Sequence, residues 1–368
     1  MSHVILDGVT KQFSTKSQGL VTAVDNFNLS IKEGECFSFL GPSGCGKTTT
    51  LRMVAGFEDL SAGEISIGGS LVSSKKRNLY VPPEKRDLGM VFQAFAVWPH
   101  LNVFDNVAFP LQVRKEPRSE IAVKVKEALR QTNLTGLEET YPSDLSGGQQ
   151  QRIALARSVV TSPKVLLLDE PLSNLDPKLR EIMRFEIKEV QRKFGYTIIF
   201  VTHDQSEAMA LSDRMLVMDM GVIQQIDTPT NMYNNPASKF VFGFLGLSNF
   251  LKVELSGGKV YPVGVQGAAM ECVIPDGFGE RQALLATRPN EIELVSEGGY
   301  RTRIKQRLFL GDYVEYRVMI GETELRIQTV GNQGFRPGDN CGLKFNRIKW
   351  YSAAEDISDA EREKRKVI

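Results

Sequence analysis

Two short runs of consecutive apolar residues lie in the first two thirds of the chain. Residues 165–168 read Val-Leu-Leu-Leu, and residues 197–201 read Thr-Ile-Ile-Phe-Val. Runs of this kind are typical of strands that are buried on both faces of a parallel sheet. A third apolar segment, residues 35–40, ends at a glycine-rich loop. The pattern therefore predicts three strands, two of which are buried on both faces.

Helical spacing of apolar residues separates these runs. Asp176 can cap a helix that begins at Pro177, where the missing N–H costs nothing, and Gly195 ends it. A second helix is predicted from Gly46, with Leu51, Val54 and Ala55 toward the core, to about Gly56. Strands alternating with helices predict a parallel α/β domain. The apolar positions of the longer helix are Leu179, Ile182, Met183, Ile187, Val190 and Phe194.

The pattern changes after residues 234–236, Asn-Asn-Pro. From about 250 to 350 it consists of short β segments separated by glycines, which favours a small barrel or sandwich. Residues 353–368 are nearly all polar or charged and are predicted to be a helical or frayed tail. The predicted strands are 251–255, 271–274, 283–287, 300–308, 313–320, 325–329 and 341–345.

Composition narrows the class of protein. A chain of 368 residues is too long for one ordinary core, so two domains are expected. The net charge of +1 gives no electrostatic argument for a nucleic-acid partner. The four cysteines form no CxxC pair or zinc pattern, and reduced thiols are the simplest interpretation. We expect no signal peptide and no membrane-spanning helix, since no apolar run approaches the ~20 residues such a helix needs.

The glycine-rich loop after the first buried strand matches G-x-x-x-x-G-K-S/T. We call residues 41–48 the phosphate loop, because its backbone N–H groups and the following helix start can bind phosphate oxygens. Lys47 supplies a charge to the outer phosphates, and Thr48 supplies a hydroxyl to Mg²⁺. The predicted ATP-binding residues here are Gly41, Pro42, Ser43, Gly44, Cys45, Gly46, Lys47, Thr48 and Thr49.

An acidic pair follows the strand at residues 165–168. Alone, Asp169 and Glu170 would more often be a solvated strand end, but together with a phosphate loop they predict a hydrolytic site. Asp169 fits a metal-binding role. Glu170 can polarise a water molecule for attack on the γ-phosphate.

Residues 145–149, Leu-Ser-Gly-Gly-Gln, predict a second anion-binding helix start. Ser146 can cap that helix, while Gly147 and Gly148 leave its first N–H groups uncovered. This segment matches the signature of the ATP-binding cassette (ABC) ATPases without a mismatch. Over residues 4–240 the chain resembles that family, which implies a P-loop NTPase fold with a helical subdomain at about 94–160.

The resemblance implies roles for further residues. Phe13 resembles the aromatic residue that stacks on adenine, although alone it would more often be core. Gln93 resembles the glutamine that contacts Mg²⁺ and the attacking water. His203 resembles the histidine that holds the γ-phosphate and Glu170 in line. By the same resemblance, a second subunit supplies Ser146, Gly147, Gly148, Gln149 and Asp176 in trans, so two copies would form a head-to-tail homodimer with ATP and Mg²⁺.

Residues 170–176 and 203–209 resemble the importer ATPases of the maltose, polyamine and ferric-iron type, as does the β-rich region. The resemblance implies integral membrane permease subunits as partners, an external solute-binding protein indirectly, and a peripheral position on the cytoplasmic face of the bacterial inner membrane. It also implies an ATPase domain at 1–238, an OB-like regulatory domain at 239–352 and the charged tail. The apolar segment 94–104 lies near the permease groove in that family, although its residues could equally be core.

Two other classes of function stay open. A soluble ABC ATPase that acts on DNA or ribosomes would usually carry coiled-coil or zinc insertions or two cassettes, none of which is evident. A regulatory module that senses ATP without turnover is disfavoured by Glu170 and His203. Co-purification with membranes would separate the first class from a transport motor, and an ATPase assay would separate the second.

Replacing Lys47 with alanine is expected to abolish nucleotide binding or turnover, because the outer phosphates lose their charged partner. Nucleotide-binding and phosphate-release assays on the variant and the unaltered chain measure the effect. Unchanged activity of Lys47→Ala would overturn the assignment of the phosphate loop.

Overall fold

The computed structural model describes residues 2–15, 19–265 and 269–353. They form two compact units, which divide between Asn235 and Pro236. The sequence placed this division at residue 238. The charged tail lies outside the described residues from position 354 onward. Among the described residues, no helix has both the length and the apolar composition needed to cross a bilayer.

The first unit alternates strands and helices. Its strands are β1 (Ser2–Thr15), β2 (Gly19–Lys32), β3 (Cys36–Leu40), β4 (Ala62–Ile67), β5 (Ser70–Ser74), β6 (Leu79–Tyr80), β7 (Leu88–Val91), β8 (Val165–Asp169), β9 (Thr197–Thr202), β10 (Arg214–Asp219) and β11 (Val222–Asp227). Its helices are α1 (Lys47–Ala55), α2 (Val103–Val113), α3 (Arg118–Gln131), α4 (Gly147–Val159), α5 (Pro177–Phe194), α6 (Gln205–Leu211) and α7 (Pro229–Asn234).

A mainly parallel sheet with strand order β11-β10-β3-β9-β8-β7 forms the centre of this unit, and only β11 is antiparallel to its neighbour. Every residue of β3 and β9 is buried. Alternate residues enter different cores: Ile198 and Phe200 belong to one cluster, while Ile199 and Val201 belong to the other. The predicted parallel α/β fold is therefore confirmed.

Each face of the parallel sheet has its own covering layer. An antiparallel sheet with the order β2-β1-β4-β5-β6 shares one core with α1 and one face of β3, β8 and β9. Helices α2, α3 and α4 share the other core with the opposite face. These three helices occupy the region that the resemblance assigned to a helical subdomain.

The two predicted helices begin and end close to the expected residues. In α5, Asp176 accepts a hydrogen bond from the Leu179 amide, Pro177 is the first residue, and Gly195 ends the helix at φ 70°. Met183, Ile187 and Val190 are buried. Ile182, which the spacing placed on the apolar side, is 43% exposed, because the buried stripe of α5 is narrower than the run of apolar residues.

The second unit is smaller and mostly β, and it has the OB-like character that the sequence predicted. One sheet has the order β13-β12-β14-β20 and the other β15-β19-β16-β17-β18. Its elements are α8 (Lys239–Phe244), β12 (Asn249–Ser256), β13 (Lys259–Pro262), β14 (Gln282–Thr287), β15 (Ile292–Val295), β16 (Tyr300–Phe309), β17 (Val314–Ile320), β18 (Thr323–Thr329), β19 (Asn340–Phe345) and β20 (Lys349–Ser352).

Strand prediction in this unit was partly wrong. Residues 271–274 form no strand, and only an isolated bridge pairs Met270 with Val260. Strands β13, β15 and β20 were missed, because each spans only four residues and lacks a clear alternating pattern. The other six predicted segments are strands.

Arg86 is a buried cation that stabilises the end of α1. Its Nη1 donates to the carbonyl oxygens of Met53 and Val54 at 2.8 and 2.9 Å. Its Nε donates to the Val81 carbonyl at 2.7 Å, and its Nη2 donates to the Ser73 hydroxyl at 2.7 Å. These bonds satisfy carbonyl oxygens at a helix terminus, where the last carbonyls lack partners within the helix, although the Met53 carbonyl also accepts from the Gly56 amide at 3.2 Å.

Replacing Arg86 with methionine is expected to destabilise the first unit by about 3 kcal/mol, because several buried acceptors lose their donor. For a unit of this size, that corresponds to a fall in Tm of roughly 10 °C. Thermal unfolding followed by circular dichroism measures the change. The matched control is Arg77→Met, which removes an exposed arginine 3.8 Å from Glu64 and should shift Tm by less than about 2 °C. Equal shifts in the two variants would contradict this account of Arg86.

Candidate active site

The phosphate loop connects β3 to α1 in a conformation that requires glycine at two positions. Gly46 precedes α1 with φ 104°, and a Cβ there would lie 2.4 Å from the Ala23 carbonyl oxygen. A Cβ on Gly41 would lie 2.3 Å from the Met218 carbonyl oxygen. Helix α1 has no acidic residue in its first turn. Its uncapped N–H groups therefore form an electropositive cradle suited to phosphate oxygens.

Lys47 lies across the inside of this loop. Its Nζ donates to the carbonyl oxygens of Gly41 and Pro42, each at 2.8 Å, and the side chain is almost fully buried. Cys45 is also buried, with its Sγ 3.7 Å from Lys47 Nζ. Burial raises the pKa of the Cys45 thiol, while the Lys47 ammonium opposes that shift. Cys45 is therefore a neutral thiol at pH 7 and not an activated nucleophile.

Thr48 and Asp169 meet where α1 faces the end of β8. The Thr48 hydroxyl donates to Asp169 Oδ1 at 3.2 Å. Burial raises the pKa of the Asp169 carboxyl, and the Thr48 hydrogen bond opposes that shift. The structure thus brings together two of the three residues predicted to bind a metal. Among the described residues, no cluster of three or more histidine, cysteine or carboxylate side chains forms a protein-only metal site.

Glu170, His203 and Gln93 converge at the same edge of the parallel sheet. His203 Nδ1 lies 3.2 Å from Glu170 Oε1, and Gln93 Nε2 donates to Glu170 Oε2 at 3.4 Å. The His203 side chain is 60% exposed, whereas that of Glu170 is 20% exposed. The carboxylate therefore lies between an amide and an imidazole that both reach solvent. This arrangement can orient a water molecule and accept its proton.

Glu170 adopts φ 45°, a left-handed conformation that is strained for a residue with a side chain. Its N–H donates to the Val201 carbonyl at 2.9 Å, which continues the pairing of β8 with β9. The Ser173 amide and hydroxyl both donate to the Glu170 carbonyl, at 3.2 and 2.9 Å. Asn174 Nδ2 donates to the Gln93 carbonyl at 2.9 Å. The 173–176 loop therefore fixes the backbone of both catalytic candidates.

Ser173 and Asn174 had no individual role in the sequence-based prediction. The left-handed conformation of Glu170, which creates the need for the Ser173 bonds, leaves no mark on the sequence. Asp176 caps α5 through a 3.1 Å bond from the Leu179 amide. Its carboxylate therefore already has a structural partner within the same chain.

The signature segment, residues 145–149, leads into α4. Ser146 and Gln149 form a capping box: the Gln149 amide donates to Ser146 Oγ at 3.4 Å, and the Ser146 amide donates to Gln149 Oε1 at 2.9 Å. A Cβ on Gly148 would lie 2.7 Å from the Leu179 side chain, whereas Gly147 has more room. No hydrogen bond joins residues 145–149 to the phosphate loop in the described chain. Within one chain, the described hydrogen bonds therefore do not link these two anion-binding sites.

Phe13 and Thr49 are the two remaining candidates for the nucleotide site, and both are half-buried near α1, the helix that follows the phosphate loop. Phe13 is half-buried, packs against the core that contains α1, and has Lys11 Nζ 4.7 Å from its ring centroid. Thr49 is half-buried in the first turn of α1.

Comparison with known proteins identifies the family. Residues 24–173 match the family model described as ABC transporter. The trehalose/maltose import ATP-binding protein MalK of Thermococcus litoralis is 48% identical over 82% of this chain and 75% of its own length. The spermidine/putrescine import ATP-binding protein PotA of Bacteroides thetaiotaomicron is 44% identical over 93% and 71%.

A solved structure agrees with the fold of the first unit. The ATP-binding cassette MJ0796, in a dimeric post-hydrolysis state bound to ADP and Pi, is 31% identical, with a TM-score of 0.53. The similarity covers 61% of this chain and 98% of that cassette. The phosphate loop, the Glu170–His203 pair and the extended similarity to import ATPases agree: the chain belongs to the ABC transporter family and is an ATP-hydrolysing subunit of an import system.

Proposed function

We propose that two copies of this chain assemble head to tail and hydrolyse ATP at sites that each copy completes for the other. The position of Glu170 carries the proposal. Its carboxylate lies between His203 and Gln93, just after β8. Strand β8 pairs with β9, and β9 pairs with β3, the strand that leads into the phosphate loop. All the candidate hydrolytic groups of one chain lie at this edge. The signature segment begins a different helix, α4, and none of its described hydrogen bonds reaches the phosphate loop.

In the proposed site, the backbone N–H groups of residues 41–49 hold the phosphates of ATP, and Lys47 exchanges its two carbonyl partners for the outer phosphate oxygens. Phe13 stacks on the adenine ring, in keeping with its position beside the loop's core. The Lys47 carbonyl bonds support this role, since they keep the ammonium inside the loop before nucleotide binds.

The residues around Thr48 fit a magnesium ion. The Thr48 hydroxyl and the Asp169 carboxylate are oxygen donors already in contact, and Mg²⁺ prefers oxygen ligands from the protein together with phosphates and water. We propose that Thr48, Asp169 and the side-chain oxygen of Gln93 hold it. When bound, the ion would neutralise negative charge on the phosphates.

Hydrolysis then requires a base and a charge stabiliser. Glu170 accepts a proton as the oxygen of a water molecule bonds to the γ-phosphorus. The bond from the γ-phosphorus to the β–γ bridging oxygen breaks, which releases ADP and phosphate. His203 contacts the γ-phosphate and keeps Glu170 in line, and Gln93 orients the water. The 3.2 Å separation of His203 and Glu170 supports this arrangement.

The partner chain contributes the remaining contacts in this proposal. Ser146, Gly147, Gly148 and Gln149 present the first N–H groups of α4 to the γ-phosphate across the interface, and Asp176 lies at the same interface. The capping box supports this role because it fixes the helix start, and Gly147 is exposed there, whereas Gly148 is buried against Leu179.

The motor acts through membrane partners in this proposal. Permease subunits would dock against the region around residues 94–104, on the cytoplasmic face of the bacterial cell membrane, and an external binding protein would deliver solute to the permease. Phe57 and Phe92 are exposed neighbours with ring centroids 6.1 Å apart, which supports an apolar contact there. Phe95 and Phe104 pack against the core, so they are structural residues as well.

The solute is proposed to be selected outside this chain. Relatives of nearly equal identity serve trehalose/maltose in one case and spermidine/putrescine in the other. Sequence identity between ATPase subunits therefore does not indicate which solute the system transports. We also propose that the second unit, which the sequence placed at 239–352, regulates the motor.

Replacing Glu170 with glutamine is expected to stop hydrolysis while Mg·ATP drives a stable dimer, because the variant binds ATP but lacks the base that consumes it. Gel filtration with and without Mg·ATP measures the change in oligomeric state. The matched control is Glu189→Gln, an exposed glutamate on α5, which should keep turnover. Glu170→Gln that stays monomeric with saturating Mg·ATP would contradict the shared site.

A further inference from the structure

Arg180 lies in the first turns of α5, between two loops of the candidate active site. On one side its Nη2 donates to the carbonyl oxygens of Leu175 and Ser173, at 3.1 and 3.5 Å. Both carbonyls belong to the 173–176 loop, whose last residue, Asp176, the proposed function places at the dimer interface. Because the Arg180 guanidinium bonds backbone oxygens, it constrains the backbone path of the 173–176 loop independently of the side chains of that loop.

On its other side, Arg180 faces two carboxylates that follow His203 in the chain. Its Nη1 is 3.6 Å from Asp204 Oδ2, and its Nε, which is buried, is 3.7 Å from Glu207 Oε1. Glu207 is buried and accepts a 2.6 Å bond from the Thr202 hydroxyl, which in turn accepts the Asp204 amide at 3.0 Å. The residues immediately before and after His203 are therefore both part of the network that contains Arg180.

These contacts close a ring around Glu170. Ser173, whose carbonyl is bonded by Arg180, donates twice to the Glu170 carbonyl. His203, whose neighbours are linked to Arg180, lies 3.2 Å from the Glu170 carboxylate. In the described contacts, Arg180 thus joins the loop that supports the Glu170 backbone to the residues beside its side-chain partner, His203.

We propose that Arg180 is a positioning residue for ATP hydrolysis, which sets the separation between the 173–176 loop and His203. Among the described contacts, the Arg180 side chain bonds neither the phosphate loop nor Glu170, His203 or Gln93. A partner subunit that engages the 173–176 loop would shift the Arg180 guanidinium, and through Asp204 and Glu207 would move His203 relative to Glu170. The inference rests on the proposed function and adds a route by which assembly of the dimer controls catalysis.

An arginine between α5 and α6 could also serve only to stabilise the packing of these two helices. Arg184 provides the comparison, because it lies one turn later on α5 and its Nη1 donates to the Ser206 hydroxyl at 3.0 Å. Ser206 itself donates to Asp204 Oδ1 at 2.6 Å. Arg184 therefore contacts the start of α6 as Arg180 does, but it makes no bond to the 173–176 loop among the described contacts.

The test compares Arg180→Met, Arg184→Met and the unaltered full-length chain in steady-state ATPase assays, with thermal unfolding of each. Arg180→Met is expected to lower kcat by at least about tenfold, because misplacing a catalytic group by a fraction of an ångström has effects of this size. Its KM for ATP should stay within about twofold of the original value. Arg184→Met should keep kcat, and the Tm of the two variants should be similar.

A second comparison separates positioning from loss of charge. Arg180→Lys keeps the positive charge but replaces the planar guanidinium, with its several N–H donors, by a single ammonium group. Its kcat should therefore lie between those of Arg180→Met and the unaltered chain. Arg180→Met combined with Glu207→Gln should be no slower than the slower single variant, because both act on one network. Independent, multiplying losses in the double variant would overturn the inference.

Different results would overturn the positioning role of Arg180 and the proposed ATPase function. An active unaltered chain together with an Arg180→Met variant of equal kcat would overturn the positioning role alone. Equal falls in kcat for Arg180→Met and Arg184→Met, each matched by a fall in Tm, would also overturn it in favour of simple stabilisation. An unaltered chain that does not hydrolyse Mg·ATP would overturn the proposed function and the inference together.

Discussion

The parallel register of β7, β8, β9 and β3 is the constraint on which the rest of the structure depends. Leu40 pairs with Thr202, Asp169 with Val201, and Val91 with Leu168, so the strands end at one edge of the sheet. Because both faces of β3 and β9 are buried in separate cores, a slip of one residue would exchange the two apolar sets and is strongly disfavoured. Burial of apolar side chains thus fixes where the phosphate loop and the Glu170–His203 pair emerge.

A strained backbone is maintained at this edge by polar contacts. A left-handed conformation for a residue such as Glu170 costs about 1–2 kcal/mol. Pairing with Val201 and the two bonds from Ser173 offset that cost. The 173–176 loop therefore supports the candidate base in its own chain, and it also belongs to the surface on which we propose that the second chain docks. In the proposed dimer, the same loop serves both support of the base and assembly, and the contacts of Arg180 join that loop to the residues beside His203.

The sequence predicted the parts of the fold that depend on strong local patterns. Buried runs gave β8 and β9, and Asp176, Pro177 and Gly195 gave the limits of α5, because caps and breakers act over a few residues. The β unit was predicted less well: residues 271–274 lack a strand, and β13, β15 and β20 escaped notice because four-residue strands depend on distant partners. Motifs identified Thr48, Asp169, Glu170 and His203, which the structure brings together in two contacting pairs. They could not reveal Arg180, because its proposed role depends on contacts with Asp204 and Glu207, which lie beyond β9 and are brought close only by the fold.

In the proposed dimer, a complete hydrolytic site takes its phosphate loop from one chain and its signature segment from the other. The most direct test mixes two variants, Lys47→Ala and Ser146→Arg, each expected to be inactive alone. In a mixed dimer, the intact phosphate loop of one chain faces the intact signature of the other, so an equal mixture should regain roughly a quarter of the original ATPase activity. A mixture as inactive as its components, under conditions where the chains exchange partners, would contradict the account.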